Sequence, residues 1–278
     1  MAPNNTQNAI SPVVAFAGTA VATGLWLAAL VAFPGLQSSG ISVIVARTAV
    51  HLIVLAGAWA GLSRTSLTPA ERRSTWLVIS ISLTVWHGVA WVIVARGLLL
   101  PGATTIPLLP IMIVVPTAIV IALIWRSSRI ATLLDAMPAS WLVGLQVYRV
   151  IGGVFLVNWV MGTTPGLFAI PAGTGDVITG LLALPAAIAL ASGKADSTRS
   201  AIIWNVIGIT DLVVAVTLGA LTSPGPLQRF AFDNPNMVTG AYPIAIIPAF
   251  TVPTSLVLHA LSLRQLLRRS RPLEAVAA

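Results

Sequence analysis

Stretches of about twenty consecutive apolar residues follow one another along nearly the whole chain, broken only by short segments that hold most of its charge. A helix needs roughly 20 apolar residues to cross about 30 Å of hydrocarbon. In that medium every backbone amide must find its partner within the spanning structure. The pattern therefore predicts an all-α, polytopic bundle of transmembrane helices. The absence of alternating ten-residue segments argues against a β-barrel. Composition agrees: 57% of the 278 residues are hydrophobic, 8% are charged, and mean hydropathy is +0.95, values a water-soluble domain does not reach.

Eight spans are expected, over residues 10–33, 41–62, 74–97, 106–125, 140–162, 175–193, 200–222 and 240–263, all in one integral membrane domain covering 1–278. The first is too long, and its flank too poor in positive charge, for a cleaved signal peptide. Asn4-Asn5-Thr6 matches a glycosylation acceptor tripeptide, a pattern too short to carry weight by itself.

Lysine and arginine set the orientation, because they concentrate in cytoplasmic loops. With the N-terminus inside, the inner segments hold Arg64, Arg72 and Arg73; Arg126 and Arg129; Lys194 and Arg199; and Arg264, Arg268, Arg269 and Arg271. The outer loops hold Arg229. Both termini are thus expected in the cytoplasm. The net charge of +8 is accounted for by anchors against anionic headgroups. The bilayer, rather than nucleic acid, is the expected partner, since no soluble segment is left to read a groove.

Two proline-broken segments resemble each other: Pro107, Pro110 and Pro116-Thr117 in the fourth span, and Pro243, Pro248 and Pro253-Thr254 in the eighth. The span before each begins after a basic loop and carries Trp86-His87 or Trp204-Asn205. This suggests two parallel four-helix repeats, 10–125 and 140–263, followed by a basic tail, 264–278, with a cavity between the halves.

Charged groups inside a bilayer are costly and usually face one another or a pathway. Arg149 and Asp211 fall at similar depth in the fifth and seventh spans, so a buried ion pair between them is expected. Gln146, Arg149, Gly152 and Gly153 share one helix face; Trp204, Gly208, Asp211, Ala215 and Gly219 form a stripe on another, beside Asn205. The glycine- and proline-rich string from Gly162 to Asp176 reads as a partly re-entrant turn, with Asp176 capping the sixth helix or serving as a cation, proton or substrate contact opposite Arg47, Arg96 or Arg149. Arg229 to Asn236 read as a surface connection at headgroup level.

A second polar group comprises Arg47 and His51, four residues apart, facing Ser80, Thr84, His87 and Trp91. Two histidines at matching depth are what a bis-imidazole haem would require; they would equally serve a proton relay. No cysteine is present, which removes disulfides and thiolate chemistry. The nucleotide-loop, nucleophile-elbow, HExxH and dinucleotide motifs are missing from the string. The sole lysine, Lys194, lies in a loop, so no Schiff base can form within a span.

The strings Gln146-Val147-Tyr148-Arg149-Val150-Ile151-Gly152-Gly153, Phe168 to Asp176 and Trp204 to Asp211 resemble an uncharacterised group of bacterial polytopic membrane proteins. The likeness covers roughly residues 140–262. It implies a bacterial inner membrane location and brings no activity or cofactor with it. The residues themselves fit a small-solute permease in which Arg149, Asp176 and Asp211 line an outward-opening cavity, the arginine favouring an anionic solute and an aspartate supplying a proton. A membrane-embedded enzyme or haem carrier acting on a lipid-soluble substrate is the first alternative, and a sensor or assembly subunit the second.

Overall fold

Most crossings begin where the sequence supplies a stop and a start. In the computed structural model, which describes residues 10–277 and the side chains of 10–269, Ser11 accepts from the amide of Val14 at the start of α1 (Pro12–Ala32). Thr68 and Glu71 form a reciprocal capping box at the start of α3 (Pro69–Ala95). Both satisfy amides that a helix start leaves free, and proline at the first helical position needs no such partner. The tripeptide Asn4-Asn5-Thr6 lies outside the described residues.

The remaining elements are α2 (Ile41–Leu62), α4 (Leu108–Arg126), α5 (139–160), α6 (Gly166–Ala191), α7 (Ser197–Thr222) and α8 (Val252–Ala277). Short helices occupy Pro34–Ser39 and Ser128–Ala136, and no strand occurs among the described residues. The centre of the bundle is formed by α5 and α8: α6 packs on α1, α5 and α7, whereas α8 packs on α4, α5 and α7. α1 is peripheral, with most of its residues exposed and therefore available to acyl chains.

The two ends of the bundle are chemically distinct. At one, Arg64 stacks over Trp141, Arg264 donates to the carbonyl of Ile124, and Arg268 pairs with Asp135 at 3.0 Å. At the other, Gln37 donates to Asn158 at 2.8 Å and Trp91 packs against Tyr242. The chain alternates between a basic end and a loop-rich end.

Seven helices among the described residues, not eight, are long and apolar enough to cross a membrane. The expected eighth span is the exception. Residues 242–245 wind as turns, Ile247–Thr251 form a π-helical turn, and regular helix begins at Val252 and runs on into the basic tail. Pro253 cannot donate to the carbonyl four residues back, which favours a break in the α ladder there. From Thr251 to Leu266 no residue of this segment is exposed. Because protein surrounds it, it carries Ser255, His259, Ser262 and Gln265, which a lipid-facing helix would not hold.

The string from Gly162 to Asp176 is a second correction. Rather than a re-entrant turn, it is helical from Gly166, with Pro171 inside the helix. Asp176 is therefore a mid-helix residue and caps nothing. Neighbouring helices approach closely at its glycines: a Cβ on Gly173 would lie 2.7 Å from Leu156 Cγ, and one on Gly180 would lie 2.7 Å from the Val150 amide. Small residues permit such approach in membrane bundles. The segment 223–241 is likewise not merely a surface strap, since Asn236 and Thr239 are buried and the backbone N–H of Asn236 donates to the carbonyl of Thr222.

Candidate functional site

α5 does not stay α-helical through its middle. Gln146–Gly153 wind as a 3-10 helix, with three residues per turn, so side chains three apart line up. Gln146, Arg149 and Gly152 consequently point in one direction, toward α6, α7 and α8. The tighter winding thus aims Arg149 at its partners.

Arg149 is buried, and every nitrogen of its guanidinium has a hydrogen-bond partner. Nε donates to Asp176 Oδ1 at 2.7 Å, and Nη2 reaches the same oxygen at 2.6 Å. Nη2 also bonds Asp211 Oδ2. Nη1 donates to the Gly208 carbonyl at 3.0 Å and meets His259 Nε2 at 3.1 Å. A guanidinium offers five donors and no acceptor, and each nitrogen of this one is engaged. Its expected pairing with Asp211 is present, and Asp176 adds a second carboxylate.

His259 carries the network onward. Since arginine can only donate, His259 Nε2 must accept, which leaves the ring proton on Nδ1. Nδ1 then donates to Asn205 Oδ1 at 2.9 Å. The Asn205 amide nitrogen in turn donates to the Ala201 carbonyl at 2.8 Å and to Ser262 Oγ at 3.1 Å. One tautomer and one amide orientation satisfy the whole chain of bonds.

Three glycines hollow out the space for these groups. A Cβ on Gly175 would stand 1.6 Å from Asp211 Oδ1, one on Gly152 2.1 Å from Asp176 Oδ2, and one on Gly208 2.6 Å from the His259 ring. Any side chain there would displace a charged or hydrogen-bonded partner rather than a flexible apolar tip.

Beside this network lies Arg47, 0% exposed. Its Nη1 donates to Thr251 Oγ1 in the π turn, and its guanidinium carbon sits 4.8 Å from the centre of the Tyr148 ring. Nε and Nη2 have no hydrogen-bond partner. Tyr148 and Ser255 share a hydroxyl bond at 2.7 Å, and Gln146 donates to the Ser255 carbonyl at 3.2 Å.

Two cavities meet at Asp176. The larger, about 280 Å³, extends from the loop-rich end between α4, α7 and the 223–241 segment; Leu99, Pro107, Phe168, Gly219 and Pro248 are among its walls. Asp176 is its one charged lining residue among the described residues. The smaller, about 10 Å³, is bounded by Arg47, Tyr148, Arg149, Thr251 and Ser255, room for a single water-sized group. Asp176, Leu212, Ile247 and Val252 border both. Asp211 and Asn205 line neither.

His51 and His87 lie together on α2 and α3, but not as an iron-ligating pair. Their ring centroids are 4.7 Å apart at 34°, and Phe250 covers His87 at 4.6 Å. Faces rather than nitrogen lone pairs confront each other, so no porphyrin fits between them. His87 Nε2 instead accepts from Trp91 Nε1 at 2.7 Å, and His51 Nε2 bonds Thr84 at 3.1 Å. No group of three or more metal-binding residues occurs among the described residues.

Of the residues singled out in the sequence, Arg149, Asp176, Asp211 and Asn205 form one network, while Gln146 and Arg47 border it. His259 was missed. It stood on a readable stripe, Thr251-Ser255-His259-Ser262, whose polar side chains recur every three or four residues. Tyr148 was hidden as well, since helical spacing at 3.6 places it off the Arg149 face.

Buried ion pairs within apolar helices define a multi-pass helical membrane protein with a polar interior. A protein-family model described as a domain of unknown function (DUF8737) matches residues 106–267, more than half of the chain, and the chain belongs to that family. No curated protein and no solved structure matches it.

Proposed function

We propose that the protein is a small-solute permease of the bacterial inner membrane, with both termini cytoplasmic, the loop-rich end outside and the large cavity as its outer vestibule. The basic end supports this orientation, since it gathers Arg64, Arg129, Lys194 and Arg264 where positive charge is normally retained. The single observation that carries the solute reading is a vestibule of about 280 Å³ that ends on Asp176, a carboxylate already bound to a buried arginine. Apolar walls with one convergent charged group are the usual character of a small-molecule site. Below Asp176 the Arg149 network closes the path, as one state of an alternating carrier requires.

Leu212, which borders both cavities, provides the test. The chain has no cysteine of its own, so Leu212→Cys introduces one unique thiol. In oriented membrane vesicles a small charged thiol reagent should modify it from the outer face and, more slowly, from the inner face. Labelling from outside alone replaces the permease by a receptor or partner subunit. Labelling from neither side removes the vestibule as a site.

A further inference from the structure

We infer that the solute is a small carboxylate with an apolar body, and that Arg47, not Arg149, takes its head group. This rests on the vestibule reading above and names what the vestibule accepts. The two buried arginines differ in one respect that decides the matter. Every guanidinium nitrogen of Arg149 is hydrogen-bonded within the protein, so it has little left to offer a ligand. Arg47, equally buried, uses Nη1 on Thr251 and leaves Nε and Nη2 unbonded.

Leaving buried donors of a charged group unpaired is expensive, and here no carboxylate of the protein hydrogen-bonds them, although the charge of Asp176 attracts Arg47 across the small chamber. Asp176 and Asp211 both pair with Arg149, and among the described residues the ion pairs do not include Arg47. What bounds the chamber beside Arg47 is neutral or already matched: the Tyr148 and Ser255 hydroxyls, the Thr251 hydroxyl, and the Arg149–Asp176 pair. An incoming oxyanion therefore meets a guanidinium whose Nε and Nη2 lack acceptors, a fork of N–H groups suited to a planar acceptor.

Size and position narrow the class. The chamber of about 10 Å³ admits one oxygen-sized group. The adjoining vestibule, walled by leucine, proline and phenylalanine, suits the rest of the molecule. Between them stand the Leu212, Ile247 and Val252 side chains and Asp176, which share both walls. A carboxylate that slips past these reaches Arg47 while its apolar body stays in the vestibule. Thr251 belongs to the π turn, a local winding frequent at functional sites, and its hydroxyl already fixes Arg47 from the opposite side.

The experiment uses the full chain in lipid nanodiscs and equilibrium binding of hexanoate, hexan-1-ol and hexylammonium. Hexanoate should bind saturably and at least about tenfold more tightly than either of the others, the gain expected of hydrogen bonds to a charged group. Arg47→Met should abolish that preference and leave the thermal midpoint unchanged or raised, because a buried charge with unbonded donors is removed. Arg47→Lys should retain part of it. If hexanol binds as well as hexanoate, the vestibule stands and the carboxylate assignment falls. If Arg47→Met lowers the midpoint while the preference persists, Arg47 is structural and the assignment falls. If no probe binds and Leu212→Cys is also inert, the vestibule reading falls with it. The wild-type head-group series decides the matter even if the variants fail to fold.

Discussion

Arg149 Nη1 and His259 Nε2 lie 3.1 Å apart, and the direction of that bond fixes a proton on the far side of the ring: the imidazole must be neutral and protonated on Nδ1, where Asn205 accepts it. His259→Leu would strand one guanidinium N–H and the Asn205 carbonyl in a buried site. The expected loss is about 1–3 kcal/mol, seen as a lowered unfolding midpoint in detergent, with His259→Gln less affected. A midpoint equal to wild type for His259→Leu would remove this residue from the network.

Removing the charge at the centre should cost more than removing all three charges together. Arg149→Met leaves Asp176 and Asp211 facing each other without a cation, a change worth about 3–5 kcal/mol. In the triple variant Arg149→Met, Asp176→Asn, Asp211→Asn the three charges of the network are removed together, and Arg47 is the buried charge that stays beside it. Folded yield by size-exclusion chromatography is expected to be lowest for the single variant and to recover substantially in the triple. The reverse order would mean that the ion pairs themselves, rather than their balance, hold the helices.

Gly175→Ala places a methyl where Asp211 Oδ1 now stands, at 1.6 Å. Overpacking of this kind costs about 1–3 kcal/mol, and here it also dislodges a charged partner of Arg149. Gly57, in contrast, has nothing within 4 Å of an added Cβ, so Gly57→Ala should be neutral or slightly stabilising within its helix. Comparing the thermal midpoints of the two variants separates a packing requirement from a general intolerance of substitution.

The orientation has its own test. Thr104→Cys, in the loop before α4, should react with an impermeant thiol reagent added outside intact cells, and Lys194→Cys only after the membrane is opened. Lys194 is exposed and Thr104 half-buried in its loop. The opposite pattern would invert the topology and turn the vestibule toward the cytoplasm.

The chain by itself determined that it is a bundle of apolar helices, how its segments alternate, and that Arg149 must find a carboxylate. These follow from local properties: the length of apolar runs against bilayer thickness, the placement of basic residues in loops, and the cost of a lone charge in hydrocarbon. Tertiary structure decided what depends on neighbours. The last segment reads as an eighth span over 240–263, yet it is broken by a π turn and is enclosed by protein from Thr251 to Leu266 instead of facing lipid. The glycines and prolines of 162–176 read as a turn, yet wind into α6 because close helix approach turns the lack of side chains into contact. No pattern of spacing could show that Arg149 bonds through every nitrogen to Asp176, Asp211, Gly208 and His259 while Arg47 keeps Nε and Nη2 unbonded. Hydrogen-bond saturation belongs to the assembled set of neighbours, and those come from helices far apart in the chain.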